Sequence, residues 1–234
     1  MKKDTIIIPD IHGRIKTLQK VLAYFPKEEY DYIFLGDLVD RGPQSSRVVE
    51  TVTDLILEGH ARFCKGNHEL MMLDAIINPQ HFLETWVVNG GVATWESFAN
   101  GKDAYSKLLM LLGYSEDYII LDDTLYSHAA RPLIENSKVL GMYHVWNRPN
   151  QGQFKLPLGV KWSVHGHTPM ANPTKDEGTK SIYIDLGLDS LCVMSHKTQQ
   201  MTRFRNQDEI HEYSIDYIKQ SYFAIQQHLL EVKL

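Results

Sequence analysis

Hydrophobic positions along the chain follow two alternating periods. A β-branched run at 5–8 has no polar break and reads as a buried strand, ending in Pro9-Asp10-Ile11-His12-Gly13. Leu18, Val21, Leu22 and Phe25 then recur at helical spacing until Pro26 stops them. The cycle repeats twice. Residues 32–35 read as a strand ending in Gly36-Asp37, and 48–57 as a helix closed by Gly59. Residues 61–64 read as a third strand ending in Gly66-Asn67-His68-Glu69, from which a helix runs to about Ile77. This βαβαβα order predicts a parallel sheet with crossover helices. Its strand-terminal loops would share one edge, where open α/β sheets bind ligands.

After that unit the pattern becomes mostly helical. Residues 79–113 carry Trp86 and Trp95 and are expected to form an insertion or cap over the loop edge. Strands are expected at 118–121, 125–127, 161–164 and 181–184, a hairpin from 191–195 and 201–205, and a helix over 213–232. No repeat, low-complexity tract or Pro/Gly/Ser-rich linker divides the sequence, so one domain over 1–234 is expected.

Composition narrows the function classes. With 24 Lys+Arg against 29 Asp+Glu the net charge is −5, which argues against a nucleic-acid binder. An acidic chain acting on phosphates must gather positive charge locally, from metals or a few arginines. The apolar run after Lys2-Lys3 stops at Pro9, too short for a signal-peptide core, and none is long enough to span a membrane. No membrane partner and a cytoplasmic location are the expectations. Cys64 and Cys192 form no CxxC and are expected to be free core thiols in a reducing compartment.

Five short segments carry metal-ligand residue types: Asp10-x-His12, Gly36-Asp37-x-x-Asp40-Arg41-Gly42, Gly66-Asn67-His68-Glu69, Ser127-His128-Ala129 and Gly166-His167-Thr168. Asp and His suit Mn, Fe or Zn ions, and Asn adds a neutral oxygen. Two such ions can clamp the attacking and leaving oxygens of an in-line displacement, and they lower the pKa of bound water. Singly, Asp10 could merely cap a helix and His128 could be a core histidine. All five in order, each following a strand, point to a metal centre.

These segments resemble the metallophosphoesterase superfamily, in particular its PPP branch of serine/threonine protein phosphatases in the compact bacterial and phage form. The family pattern GDxHG, GDxVDRG, GNHE, HA(G) and GH(T) is matched across residues 9–169, with Pro9 and Ala130 standing where glycine is usual. Asn89-Gly90-Gly91 with Thr94 resembles an NGGxxT stretch of the bacterial branch.

The resemblance implies an α/β fold: a β-sandwich with flanking helices in four αββα layers, and a dimetal site at strand C-terminal ends. It implies two divalent metal ions, foremost Mn2+, with Fe, Zn or Ni possible. Asp10 and His12 would bind the first metal, Asp37 would bridge both, and Asn67, His128 and His167 would complete the second. His68 would be the general acid, oriented by Asp40, with Arg41 and Arg148 on the phosphoryl oxygens. A metal-bridging hydroxide would attack phosphorus directly.

Three functions are then weighed. The first is hydrolysis of phosphate monoesters, chiefly phosphoserine and phosphothreonine in proteins, which Glu69 favours because the diadenosine tetraphosphatase relatives usually carry Asp there. The second is hydrolysis of diadenosine tetraphosphate. The third is a non-catalytic metal-binding scaffold, disfavoured because every ligand and acid position is filled. His165 and Arg131 adjoin the ligands and are minor candidates, Asp185 reads as a turn former or a support, and Trp86 and Trp95 read as core of the cap.

Overall fold

The computed structural model describes residues 3–99, 104–135, 138–140, 144–149 and 155–231. Its strands are β1 (Asp4–Ile8), β2 (Tyr30–Phe34), β3 (Ala61–Cys64), β4 (Ser115–Glu116), β5 (Ile119–Leu121), β6 (Thr124–Ser127), β7 (Leu133–Glu135), β8 (Lys138–Leu140), β9 (Trp162–His165), β10 (Thr174–Asp176), β11 (Ser181–Tyr183), β12 (Ser190–Ser195) and β13 (Met201–Arg205). Its helices are α1 (Ile15–Tyr24), α2 (Ser45–Leu57), α3 (Asn67–Ile77), α4 (Pro79–Trp86), α5 (Val92–Ala99), α6 (Ala104–Gly113) and α7 (Ile215–Glu231).

One sheet runs β13-β12-β1-β2-β3-β4 and the second β10-β11-β9-β6-β5. β1 to β4 are parallel, and α1 and α2 fill the first two crossovers, as the periodicity predicts. The chain from α3 to α6 connects β3 to β4. In the second sheet β6, β9 and β11 are parallel. The late hairpin forms, with Leu191 opposite Phe204. β4, β7, β8 and β10, of two or three residues each, were not expected; runs that short carry no readable period.

The first strand is apolar throughout because both its faces are buried. Side chains alternate across a strand. Ile6 and Ile8 join a core shared with all seven helices, while Ile7 joins Ile33, Leu35, Tyr126, Val164 and Ile184 in a second core between the sheets. Each fully buried side chain of this kind contributes about 1.5–3 kcal/mol. The result is an α/β architecture of two packed sheets with flanking helices.

Long-range contacts close the structure around this frame. The start of α1 has no capping side chain of its own. Asp208 supplies one from the far end of the chain, accepting the Lys16 and Thr17 amides at 3.0 Å each. Both cysteines are free and buried. Among the described residues no helix is long and apolar enough to cross a membrane.

Candidate active site

Five loops converge at the carboxyl ends of β1, β2, β3, β6 and β9. They carry Asp10 with His12, Asp37 with Asp40 and Arg41, Asn67 with His68, His128, and His167. His12, Asp37, Asp40, Arg41 and His167 have left-handed backbone, with φ from 48° to 70°. Non-glycine residues seldom adopt that conformation, and strained backbone tends to cluster at functional sites. Asp10, His12, Asp37, Asp40, Asn67, His68, His128 and His167 are all buried, whereas Arg41 is half-buried and Arg148 exposed.

Asp37 lies at the middle. His12 Nε2 and His68 Nε2 are 3.7 and 3.8 Å from its Oδ2, and His128 Nε2 is 3.3 Å from its Oδ1. Asp10 Oδ2 is 4.0 Å from His12 Nε2, and Asp10 Oδ1 accepts the His167 amide at 2.9 Å. Two groups of ligand atoms, His12–Asp37–His68 and Asp37–His128–His167, each lie within 4.8 Å of one another and share Asp37.

The donor chemistry fits divalent cations. His12 Nδ1–H donates to the Val39 carbonyl at 2.8 Å and His128 Nδ1–H to the Leu35 carbonyl at 2.6 Å. Each bond fixes the tautomer and turns an Nε2 lone pair toward Asp37, the usual arrangement behind a metal-ligating histidine. His128 Nε2 and Asn67 Oδ1 then face each other at 2.9 Å as two electron-pair donors, a pairing that a cation relieves. His167 Nε2 is buried without a hydrogen-bond partner.

The electrostatics agree. Burial, with neighbouring positive groups, holds His12 and His128 below the ordinary imidazole range and His167 at about 3, which favours the neutral imidazole that a cation requires. Burial, reinforced by Asp185 and Asp37, pushes the Asp10 carboxyl well up, as expected of buried acids that lack a full counter-charge. Burial also acts to raise Asp37, but His128, His68 and His12 outweigh it and hold that carboxyl below the usual range.

His68 is held from the opposite side. Its Nδ1–H donates to Asp40 Oδ2 at 2.7 Å. Burial lowers the imidazole, yet Asp37 and the Asp40 hydrogen bond together leave it raised. The other Asp40 oxygen accepts Trp86 Nε1–H at 2.9 Å and the Thr94 hydroxyl at 2.7 Å. Arg41 reaches His12 Nε2 and His68 Nε2 at 3.0 Å each, and its amide donates to the Gly90 carbonyl. Gly90 has φ +103°, and a Cβ there would meet Arg41 at 2.8 Å, so this position requires glycine. Arg148 lies at the rim, donating to the His167 carbonyl at 3.3 Å.

Several side chains play parts that local sequence did not reveal. Trp86 is core, as expected, but its indole N–H also supports Asp40. The only hint was the Asn89-Gly90-Gly91…Thr94 stretch nearby. Glu69 does not face substrate. Its carboxylate accepts the amides of Gly66, Asp37, Leu38 and Val39, tying two ligand loops together, and burial followed by Asp37 pushes it up to about 7. That position therefore gives no physical basis for choosing between protein and nucleotide substrates.

His165 bonds Ser127 and Ser163, and Arg131 bonds Ser163, Ser181 and the Thr179 carbonyl, so both brace the second sheet. Asp185 accepts the Gly187 amide and forms the turn expected of it. Trp95 packs on the first core with its ring edge-on to His228.

Known proteins sharpen this picture. The chain is 25% identical over 214 residues to the asymmetrical bis(5'-nucleosyl)-tetraphosphatase PrpE of Halalkalibacterium halodurans, covering 80% of this chain and 85% of that protein. It is 29% identical to the PrpE of Bacillus anthracis, covering 74% and 81%. A candidate diadenosine tetraphosphatase of known structure superposes with TM-score 0.67 at 16% identity over 88% of this chain and 95% of that one. A protein serine/threonine phosphatase of Saccharomyces cerevisiae does so with TM-score 0.58 at 14% identity, over 91% and 82%. At those identities the superpositions show the fold alone. The calcineurin-like phosphoesterase family pattern matches residues 4–171, a span holding the six candidate metal ligands and His68, Asp40, Arg41 and Arg148. The chain therefore belongs to the calcineurin-like phosphoesterases, metal-dependent enzymes that hydrolyse phosphoesters at a dimetal site.

Proposed function

We propose that this phosphoesterase hydrolyses dinucleoside tetraphosphates, cutting a P–O–P link with water. The observation carrying the substrate is the likeness over most of both chains to bis(5'-nucleosyl)-tetraphosphatases. The phosphoprotein reading has no comparable support once Glu69 is recognised as a loop brace.

In this reading Asp10, His12 and Asp37 hold one divalent ion, and Asp37, Asn67, His128 and His167 hold the other. The ions, when bound, supply positive charge for the phosphate and lower the pKa of water. Asp37 would contribute to both sites, since its Oδ2 faces His12 and its Oδ1 faces His128. Arg41 and Arg148 bind phosphoryl oxygens from two sides, a task to which the guanidinium fork is suited. Water oxygen bonds to phosphorus as the bond to the leaving oxygen breaks, and His68 Nε2–H protonates that oxygen. Asp40 keeps the His68 proton in place, and Trp86 and Thr94 keep Asp40 in place. The chain acts as one domain, and the bend between α4 and α5 meets the loop edge where the Gly90 carbonyl accepts the Arg41 amide.

The test is a substrate comparison with manganese-loaded protein. Diadenosine tetraphosphate should yield ATP and AMP with a higher kcat/KM than a phosphothreonine peptide yields phosphate. The opposite order would restore the phosphoprotein reading.

A further inference from the structure

A cleft of about 320 Å³ opens beside Arg41, lined also by Val88, Leu188, Ile210, His211 and Tyr213. Arg41 belongs to both places: its guanidinium touches His12 and His68, while it also forms a wall of the cleft. Asn89 and Gly90 complete the lining; its other walls are apolar or aromatic, and among the described residues no acidic side chain lines the cleft to repel an anion.

Tyr213 is held rigidly. Its hydroxyl donates to Glu96 of α5 at 2.7 Å, and its ring stacks on Tyr217 of α7 at 5.3 Å and 11°. The Tyr217 hydroxyl donates to the same Glu96. A ring fixed in this way loses little freedom when a second flat ring comes to lie against it. Val88, also in the lining, is 62% exposed at the bend between α4 and α5, an apolar side chain left in solvent.

We infer that this cleft seats a nucleoside of the substrate, with the base against Tyr213 and the Val88, Leu188 and Ile210 walls and the 5'-phosphate against Arg41. Apolar walls, a fixed aromatic ring and an adjoining guanidinium are the complement of a nucleotide: a flat base at one end and an anion at the other. The inference rests on the nucleotide reading above and adds where the base is bound. It also gives the late loop at 210–213 and the start of α7 a place in recognition, although they lie outside the family match at 4–171.

Titration calorimetry of manganese-loaded protein with AMP and with ribose 5-phosphate isolates the base. Wild type should bind AMP more tightly, and Tyr213→Ala should reduce that preference about ten-fold, the scale of one base–aromatic stack. Val88→Trp, which fills the cleft from an exposed position, should reduce it similarly and guards against a general disturbance of α7 by the first variant. The ratio of kcat/KM for diadenosine tetraphosphate to that for p-nitrophenyl phosphate should fall in parallel. Equal affinity of wild type for AMP and ribose 5-phosphate, or a preference surviving in both variants, overturns the inference. A preference for AMP without turnover of diadenosine tetraphosphate would leave the cleft assignment standing and remove the proposed reaction.

Discussion

Trp86→Phe isolates the support behind the proposed acid. The change keeps an aromatic ring in the core and removes the N–H that donates to Asp40 Oδ1 at 2.9 Å. Asp40 is fully buried, and its other oxygen holds His68. A hydrogen bond to a buried charged group is worth about 1.5–3 kcal/mol. The smaller ring also leaves a gap beside Gly91, where the indole packs, adding about 1 kcal/mol. Urea unfolding should therefore show a loss of about 2.5–4 kcal/mol in all. If the hydrogen-bond share is expressed through His68, kcat/KM falls about 10- to 100-fold. The Asp40→Asn background is the decisive comparison. A neutral partner turns the charge-assisted bond into an ordinary one worth about 0.5–1.5 kcal/mol, so the hydrogen-bond share of the penalty should roughly halve. An equal penalty in both backgrounds, or under about 0.5 kcal/mol in wild type, refutes the support role.

Gly90→Ala should raise KM about ten-fold, since its Cβ would press on Arg41 from a left-handed backbone, whereas Gly59→Ala, with φ +79° and nothing within 4 Å, should cost only about 1 kcal/mol of stability. Indistinguishable steady-state kinetics for the two variants would rule out the Arg41 contact as the cause. His68→Asn should cost about 100- to 10,000-fold with an alkyl phosphate, whose leaving alkoxide needs a proton, and much less with p-nitrophenyl phosphate. Equal losses on both substrates would remove His68 from the acid role. Chelation should abolish activity and lower Tm, and manganese should restore both, because ions that bind only the folded state stabilise it by mass action. Full turnover by extensively dialysed, metal-free protein would refute the metal-dependent mechanism.

The parallel βαβαβα unit was legible in the sequence because its signals are local. Apolar runs and 3.6-residue spacing report burial over a few neighbours, and Gly36, Gly59 and Gly66 mark where elements end. The metal-type residues were legible for the same reason, each lying within a few positions of a strand terminus. The short strands β4, β7, β8 and β10 were not, since two or three residues complete no period.

By itself, the sequence determined the class of chemistry: Asp, His and Asn side chains at strand-end loops of a parallel sheet suit divalent ions and phosphate esters. Only the tertiary structure decided which side chains meet. It made Glu69 a brace between two loops, His165 and Arg131 supports of the second sheet, and Trp86 a partner of Asp40 across 46 residues of chain. It also brought Tyr213 to the same cleft as Arg41. The reason is physical: residue type sets what a group can bind, but hydrogen-bond partners, burial and backbone handedness depend on segments far apart in sequence, whose approach is set by packing.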